Sequence, residues 1–367
     1  MAYKSIDEVQ NYFAKSIFNR TNDAKKASGR ALGTFIELIT YYLLKTWNFH
    51  NNMSIETRLP EYGHPDLTHN VEFTLHKVLE QQKLDINPET GLSTSDIIKK
   101  LGLSNNPNFR KVSSQKIVNI KENCIKNCTV IGLDKDCNYI AQADMLTNKY
   151  VCSKLKNQAY AMFECKRVGK EGTSKGPQTI EKAKQGAYVA IKVSGLQRIT
   201  TENGEIKGFI EGKVAKDYYQ CIDDIVSGKL SLPSFVLTVG VVSNHGNWFT
   251  AENQNKELKV LNNSYDWLLF LTDEGLTAFI QDMLEIPACR KAFEYSYSSS
   301  EDGKKNPNIF TKSIVSVEAD KALTQYFRKN IKKIEKWFNI LTPRYKSLDE
   351  LKEQLVKLGK RDDCRTN

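Results

Sequence analysis

"AYAMFECKRVGK", residues 159–170, is an apolar run that breaks off in an acid, a cysteine and a lysine. Ala159 to Phe163 have the composition of a buried strand, yet the run passes into Glu164-Cys165-Lys166-Arg167 instead of into turn residues. Residues two apart on a strand point to the same face. The spacing therefore predicts Glu164 and Lys166 side by side at a strand end, with Cys165 turned the other way into packing. A carboxylate and an ammonium held together at a sheet edge suit metal-assisted hydrolysis of a phosphodiester. That chemistry needs a second acid.

Upstream, Cys128–Leu133 and Tyr139–Thr147 read as two strands joined by the turn Asp134–Asn138, and a loop rich in Lys and Asn separates them from the strand ending in Glu164. Asp144 lies on the second of these strands, and adjacent antiparallel strands can bring the two acids together. Asp144, one oxygen of Glu164 and the Cys165 carbonyl then form a hard oxygen donor set for Mg²⁺. Lys166 is placed to orient an attacking water and to stabilise charge on the phosphorane. Two other acids compete with Asp144. Pro65-Asp66 sits in a Gly/His/Pro loop far from Glu164, whereas Glu72 stands at a possible strand start and is the closer rival. Asp144 is preferred. Further upstream, Leu32, Phe35, Ile36, Ile39, Leu43 and Trp47 recur at three- and four-residue steps, which predicts a long amphipathic helix over 28–47. Glu37 within it is either an exposed face residue or a carboxylate aimed at the site. Asn52–Leu59 follows as a first strand.

Asp144, then Glu164-Cys165-Lys166, resembles the PD-(D/E)XK nuclease superfamily, with Ala143 in place of the motif's proline. The order around it is similar too: a helix with a central acid, a strand, a strand bearing Asp, a strand ending in Glu-x-Lys, then a helix. The resemblance covers roughly 30–62 and 128–200. It implies Asp144, Glu164, Lys166 and Glu37 as catalytic residues and Asp144, Glu164 and Cys165 as Mg²⁺ ligands. In size and layout the chain is most similar to type II restriction endonucleases. That implies cleavage of double-stranded DNA at a short specific sequence to give 5′-phosphates, a homodimer, and a cognate DNA methyltransferase as genetic partner. Arg167, Lys170 and Lys175 would hold phosphates, with Gln178 and Lys182 on the following helix. Two alternatives stay open: a structure-selective repair or recombination nuclease of the same superfamily, and a DNA-binding protein whose charge cluster is only structural.

The rest of the chain sets the frame. At 367 residues it can bury a large core, and Lys and Arg exceed Asp and Glu by 53 to 43, which suits a polyanionic partner. The start Met1–Asp7 lacks the blocks of a signal peptide, and no stretch nears the roughly 18 apolar residues of a membrane span, so a cytoplasmic protein without a membrane partner is expected. Residues 71–82 read as a helix or as a strand running into one. Residues 92–104 and the basic stretch 108–124, with Arg110 and Lys111, have the texture of helix, glycine turn and basic helix, either a helix-turn-helix DNA reader or a dimerisation or packing insertion. Residues 297–308 mark a boundary before two helical stretches, about 317–340 and 347–359. The expected fold is α/β, a mixed central sheet flanked by helices like a restriction-endonuclease core, with a helical insertion and a helical C-terminal region. Its segments are 1–62, 63–127, 128–296 and 297–367. Cys124, Cys128 and Cys137, completed by Cys152, match no common zinc spacing and read as small buried hydrophobes. The five histidines form no ligand or triad spacing, and no phosphate-binding glycine motif is present.

Overall fold

The polar stretch after Asp144 is not a loop. In a computed structural model that describes residues 5–18, 24–57, 71–87, 89–112, 114–168, 194–244, 261–298 and 305–361, one strand, β9, runs from Lys149 through Val168. In its first half Tyr150, Cys152, Ser153 and Leu155 are buried, while Lys154 and Lys156 are only partly so. Strand β2 (Val71–Asp85) follows β9 antiparallel along most of its length. The opposite edge of β9 is shared. Strand β8 (Cys137–Asp144) pairs antiparallel with the first half, and β13 (Leu237–Asn244) runs parallel to the second.

The sheet extends outward from these strands. Strand β1 (Met53–Thr57) pairs with β2. Beyond β8 come β7 (Thr129–Asp134) and β4 (Arg110–Lys111); beyond β13 come β14 (Trp267–Leu271), parallel to it, and β16 (Phe338–Thr342), antiparallel. Among the described residues this makes a nine-stranded mixed sheet. Two small sheets accompany it. One joins β3 (Leu92–Ser93), β5 (Lys116–Asn119), β6 (Cys124–Lys126) and β15 (Ile314–Ser316); the other is the meander β10 (Gln197–Thr200), β11 (Ile206–Ile210) and β12 (Lys213–Asp217).

Helices α1 (Ile6–Tyr12) and α2 (Ala24–Thr46) precede the first strand. Helix α2 is the long helix anticipated over 28–47, and its second half is buried on nearly every side. It lies between the sheet, at β9 and β13, and the later helix α7 (Val317–Glu335). The remaining helices are α3 (Thr94–Lys100), α4 (Tyr218–Val226), α5 (Asp273–Glu285), α6 (Pro287–Tyr297) and α8 (Leu348–Lys360). Phe13, Phe35, Phe293 and Phe310 pack ring against ring at centroid separations of 5.2–6.4 Å, joining the N-terminal helices to α6 and the segment before β15. No helix among the described residues is long and apolar enough to cross a membrane.

Two expected helical regions differ. Residues 71–82 are strand throughout, since Val71, Phe73 and Leu75 alternate as a sheet face and the whole segment pairs with β9. Among the described residues of 92–124 only α3 and a short 3-10 turn, Leu103–Asn105, are helical. The basic stretch after them forms β4 and β5 because Ile117 and Val118 are buried in a ladder instead of recurring on a helix face, so the described residues there hold no second helix of a helix-turn-helix. In the C-terminal region the stretch ending in Phe338–Thr342 leaves its helix and adds β16 to the central sheet.

One charged pair ties α2 to α7. Lys45 Nζ and the Tyr42 hydroxyl both donate to Asp320 Oδ1, at 2.7 and 2.9 Å, with lysine and aspartate almost wholly buried. Lys45 lies in the last turn of α2 and Asp320 in the first turn of α7, where each charge opposes its helix dipole. On β2, His76 Nδ1–H donates to the Lys156 carbonyl at 3.0 Å, which leaves Nε2 to accept from the Thr74 hydroxyl at 2.8 Å. Burial lowers its pKa from 6.5 to about 4. Replacing Asp320 by Ala strands a buried ammonium and should cost about 3–5 kcal/mol in denaturant unfolding, whereas Lys45→Met with Asp320→Leu should come close to wild type. For His76 the folded pKa is depressed, so the unfolded chain binds the extra proton: its contribution is complete above about pH 6.5 and is lost as the pH falls toward 4. Melting temperatures across that window should fall, and His76→Asn should make the profile shallower, the remaining slope belonging to His50, which burial likewise lowers to about 4.

Candidate functional site

The antiparallel register that sets Phe73 opposite Phe163 makes Glu72 and Glu164 neighbours across β2 and β9. The Glu72 N–H donates to Glu164 Oε2 at 3.2 Å, and both residues are buried, Glu164 to 1 % exposure. Glu164 Oε1 lies 2.7 Å from Lys166 Nζ, on the shared face that period-two spacing requires. Burial alone would pull the Lys166 pKa down, but the Glu164 carboxylate more than offsets it and the net shift is upward, so the side chain is an ammonium. Cys165 turns to the other face, where its thiol meets the Thr40 hydroxyl of α2 at 3.4 Å. Burial pushes that thiol up, away from thiolate chemistry.

A second lysine completes the cluster from a distant part of the chain. Lys312 Nζ lies 3.1 Å from Glu37 Oε2 on α2, 2.8 Å from Glu56 Oε1 on β1, and against Glu72 Oε1. Its side chain is 4 % exposed and rests over the Phe73 ring. Glu56 takes a left-handed backbone, φ 48°, which is uncommon for a residue with a side chain. Among the described residues, four carboxylates and two ammonium groups meet here.

A tight turn delivers Lys312. The Phe310↔Val315 bridge and the Thr311 N–H bond to the Ile314 carbonyl, 2.8 Å, close a hairpin with Lys312 and Ser313 at its tip. Asn127 clamps the tip from outside: its N–H donates to the Ser313 carbonyl at 2.9 Å and its side-chain amide to the Lys312 carbonyl at 2.8 Å. Phe310 and Val315 on either side are fully buried.

The structure brings Glu37, Glu164 and Lys166 to one place, with the Cys165 backbone beside them. It does not bring Asp144. That residue ends β8 opposite Lys149, separated from Glu164 by a length of β9 of roughly 50 Å along the strand at about 3.3 Å per residue. Its carboxylate accepts from the Leu146 N–H and the Thr147 hydroxyl, both at 3.0 Å, and so shapes a turn. The reason is hairpin geometry: because 149–158 is strand and not loop, residues near the turn pair with each other, and the far end of β9 takes other partners. Glu72, the rival acid, stands opposite Glu164 instead. Arg110 and Lys111 are exposed on the edge strand β4. Arg167 lies in β9 with its side chain outside the described residues, as are Lys170, Lys175, Gln178 and Lys182 altogether. Glu56 and Lys312 escaped sequence reasoning. An alternating reading of 71–76 would have favoured Glu72, but Thr311-Lys312-Ser313 carries no signal.

The donor chemistry of Glu72, Glu164 and the Cys165 carbonyl is that of a hard oxygen site. Among the described residues no three His, Cys, Asp or Glu side chains are gathered in ligating geometry. Lys312 instead is the cation that three of the glutamates share. Cys124, Cys128 and Cys152 are buried and Cys137 partly so, all as free thiols. Cys128 Sγ contacts Gln142 Oε1 at 3.3 Å and the His50 carbonyl at 3.6 Å. No family model, no curated protein and no solved structure matches the chain.

Proposed function

We propose that the chain is a Mg²⁺-dependent endonuclease of the PD-(D/E)XK superfamily, of the type II restriction class, acting on double-stranded DNA as a homodimer and leaving 5′-phosphates. The observation that carries this reading is the meeting of Glu72 and Glu164 across adjacent strands with Lys166 bound to the same carboxylate. Glu72 takes the role that spacing alone assigned to Asp144. The order of elements supports it as well: α2 with Glu37, then β1, β2 and β9, then the parallel strand β13. The net charge of +10 suits a DNA partner.

In this reading Glu72, Glu164 and the Cys165 carbonyl hold the ion. Bound Mg²⁺ supplies Lewis-acid charge at the scissile phosphate and lowers the pKa of a water. The chain's own residues do the positioning. Lys166, kept charged by Glu164, donates hydrogen bonds toward the nucleophile or the pentacoordinate phosphorus oxygens. Glu37 orients groups from the helix side. Arg167, Lys170, Lys175, Gln178, Lys182, Arg110 and Lys111 are the candidates for phosphate and base contacts. A cognate methyltransferase would protect the host's own sites.

The test is incubation of purified protein with phage-length duplex DNA in Mg²⁺ and in EDTA. Discrete fragments are expected in Mg²⁺ alone. Glu72→Gln and Lys166→Ala should each lose about 10²-fold or more in rate, while Asp144→Asn, which only loosens a turn, should cleave within about threefold of wild type. Cutting confined to flaps or junctions would point to the structure-selective class. Binding without cutting would leave a structural charge cluster. Loss of activity in Asp144→Asn with retention in Glu72→Gln would overturn the assignment of the acid.

A further inference from the structure

We infer that the open edge of β2 pairs with the same edge of a second copy of this chain, antiparallel and two-fold about Gln81, so that two central sheets become one. The inference rests on the homodimer of the nuclease reading, to which it gives a surface.

Only the start of β2 has a neighbour on its outer side. Strand β1 pairs with Val71–Leu75, and the His76 N–H donates to the Asn52 carbonyl at 2.9 Å. From Val78 to Asp85 the strand pairs with β9 alone, and among the described residues nothing bonds the backbone groups turned away from β9. Residues Leu79 to Lys83 are exposed, Leu79 by 43 %. An unpaired edge of this length is a template for another strand, and proteins usually shorten or break such edges. Strand β4, at one end of the sheet, is short in this way, with two basic residues. The β2 edge is instead held in regular register from Glu80 to Asp85 by side-chain pairs to β9: Glu80 with Lys154 at 3.7 Å, Gln81 with Ser153 at 3.0 Å and Asp85 with Lys149 at 2.6 Å.

The order of residues along the edge selects a second copy as the occupant. A two-fold axis perpendicular to the sheet keeps both faces continuous and sets one residue opposite itself. With Gln81 on the axis, Lys77 stands opposite Asp85 and Val78 opposite Leu84, and symmetry makes each pair twice. The two charges meet beside the bonds they make within the chain, to the Arg361 carbonyl and to Lys149. An axis at Glu80 sets Lys77 against Lys83, and one at Gln82 sets Leu79 against Asp85 and Glu80 against Leu84. Of the three registers, the one about Gln81 joins opposite charges and puts apolar against apolar. Glu72 stands roughly 30 Å along the strand from that axis, at about 3.3 Å per residue. The pair therefore holds its two charge clusters far apart, each for its own stretch of duplex.

The experiment is light scattering on the purified full chain across a micromolar range, beside Gln81→Lys, Gln81→Cys and Leu79→Cys. Wild type is expected to show the mass of two chains. Gln81→Lys sets two ammonium groups opposite each other at an exposed position, and should raise the dissociation constant about fivefold or more while leaving the melting temperature of the dilute protein unchanged. Gln81→Cys should form a disulfide between chains under mild oxidation, because opposed residues of an antiparallel pair stand about 4.5–5.5 Å apart at Cα. Leu79→Cys, opposite Lys83, should not, nor should wild type. If Gln81→Lys fails to fold, the two cysteine variants decide. A wild type that stays monomeric overturns the inference and leaves the edge to a foreign strand; if that monomer cleaves DNA, the nuclease reading stands without its dimer. A dimer that Gln81→Lys leaves intact and Gln81→Cys does not crosslink overturns the edge alone, and the homodimer then uses another surface. A disulfide from Leu79→Cys and none from Gln81→Cys overturns the register. A dimer crosslinked through Gln81→Cys that neither binds nor cuts DNA supports the pairing and overturns the nuclease reading.

Discussion

Two glutamates side by side on neighbouring strands, both out of water, cannot remain ionised without cations close at hand. Much else in the structure answers that requirement. Glu164 has its own lysine two residues away, which the strand period supplies without any tertiary arrangement. Glu72 has none nearby in sequence. Its counter-charge comes from Lys312, carried in by a hairpin from the far side of the chain. The end of β9, the start of β2, the middle of α2 and the segment before β15 are thereby held at one point. A buried, partner-dependent network of this kind is weak as a source of net stability, and its partners become essential once the acids are there.

The sheet is organised around the same strand. Strand β9 is long enough to serve two neighbourhoods. Its first half lies in an antiparallel meander with β7 and β8, and its second half borders the parallel strand β13, beyond which lies β14. Strand β2 spans both, which is why the acid at its start reaches Glu164 while its other end reaches Lys149. Helix α2 covers the sheet and is itself covered by α7, so it is buried enough to need internal partners for Lys45, found in Asp320. Function and packing share this helix. Glu37 faces the cluster, and Tyr41 and Tyr42 fill the core.

The errors of sequence reading have a common physical origin. Lys- and Asn-rich composition between Asp144 and Ala159 suggests a loop, but half-buried strands tolerate lysines whose stems lie along the sheet and whose ends reach water. Once that stretch is strand, Asp144 must pair near the turn and cannot face Glu164. The basic segment after α3 reads as a helix because Lys, Gln, Asn and Glu are compatible with one. Its burial against the small sheet decides otherwise, as context commonly overrides local propensity.

What the chain's sequence determined by itself was local. It set the long helix through its three-and-four spacing, the apolar strands through theirs, and the Glu164–Lys166 pair with Cys165 turned away, because i and i+2 on a strand share a face whatever the sheet around them. The fold class followed from the same patterns. Tertiary structure alone decided which acid stands opposite Glu164 and which cation reaches Glu72. Those choices depend on strand register and on the closure of loops hundreds of residues apart in effect, and a one-residue slip in register would send every side chain to the other face. Lys312 shows the limit most clearly: nothing in Thr311-Lys312-Ser313 marks it, and only the hairpin, clamped by Asn127, brings its charge to three glutamates from other parts of the chain.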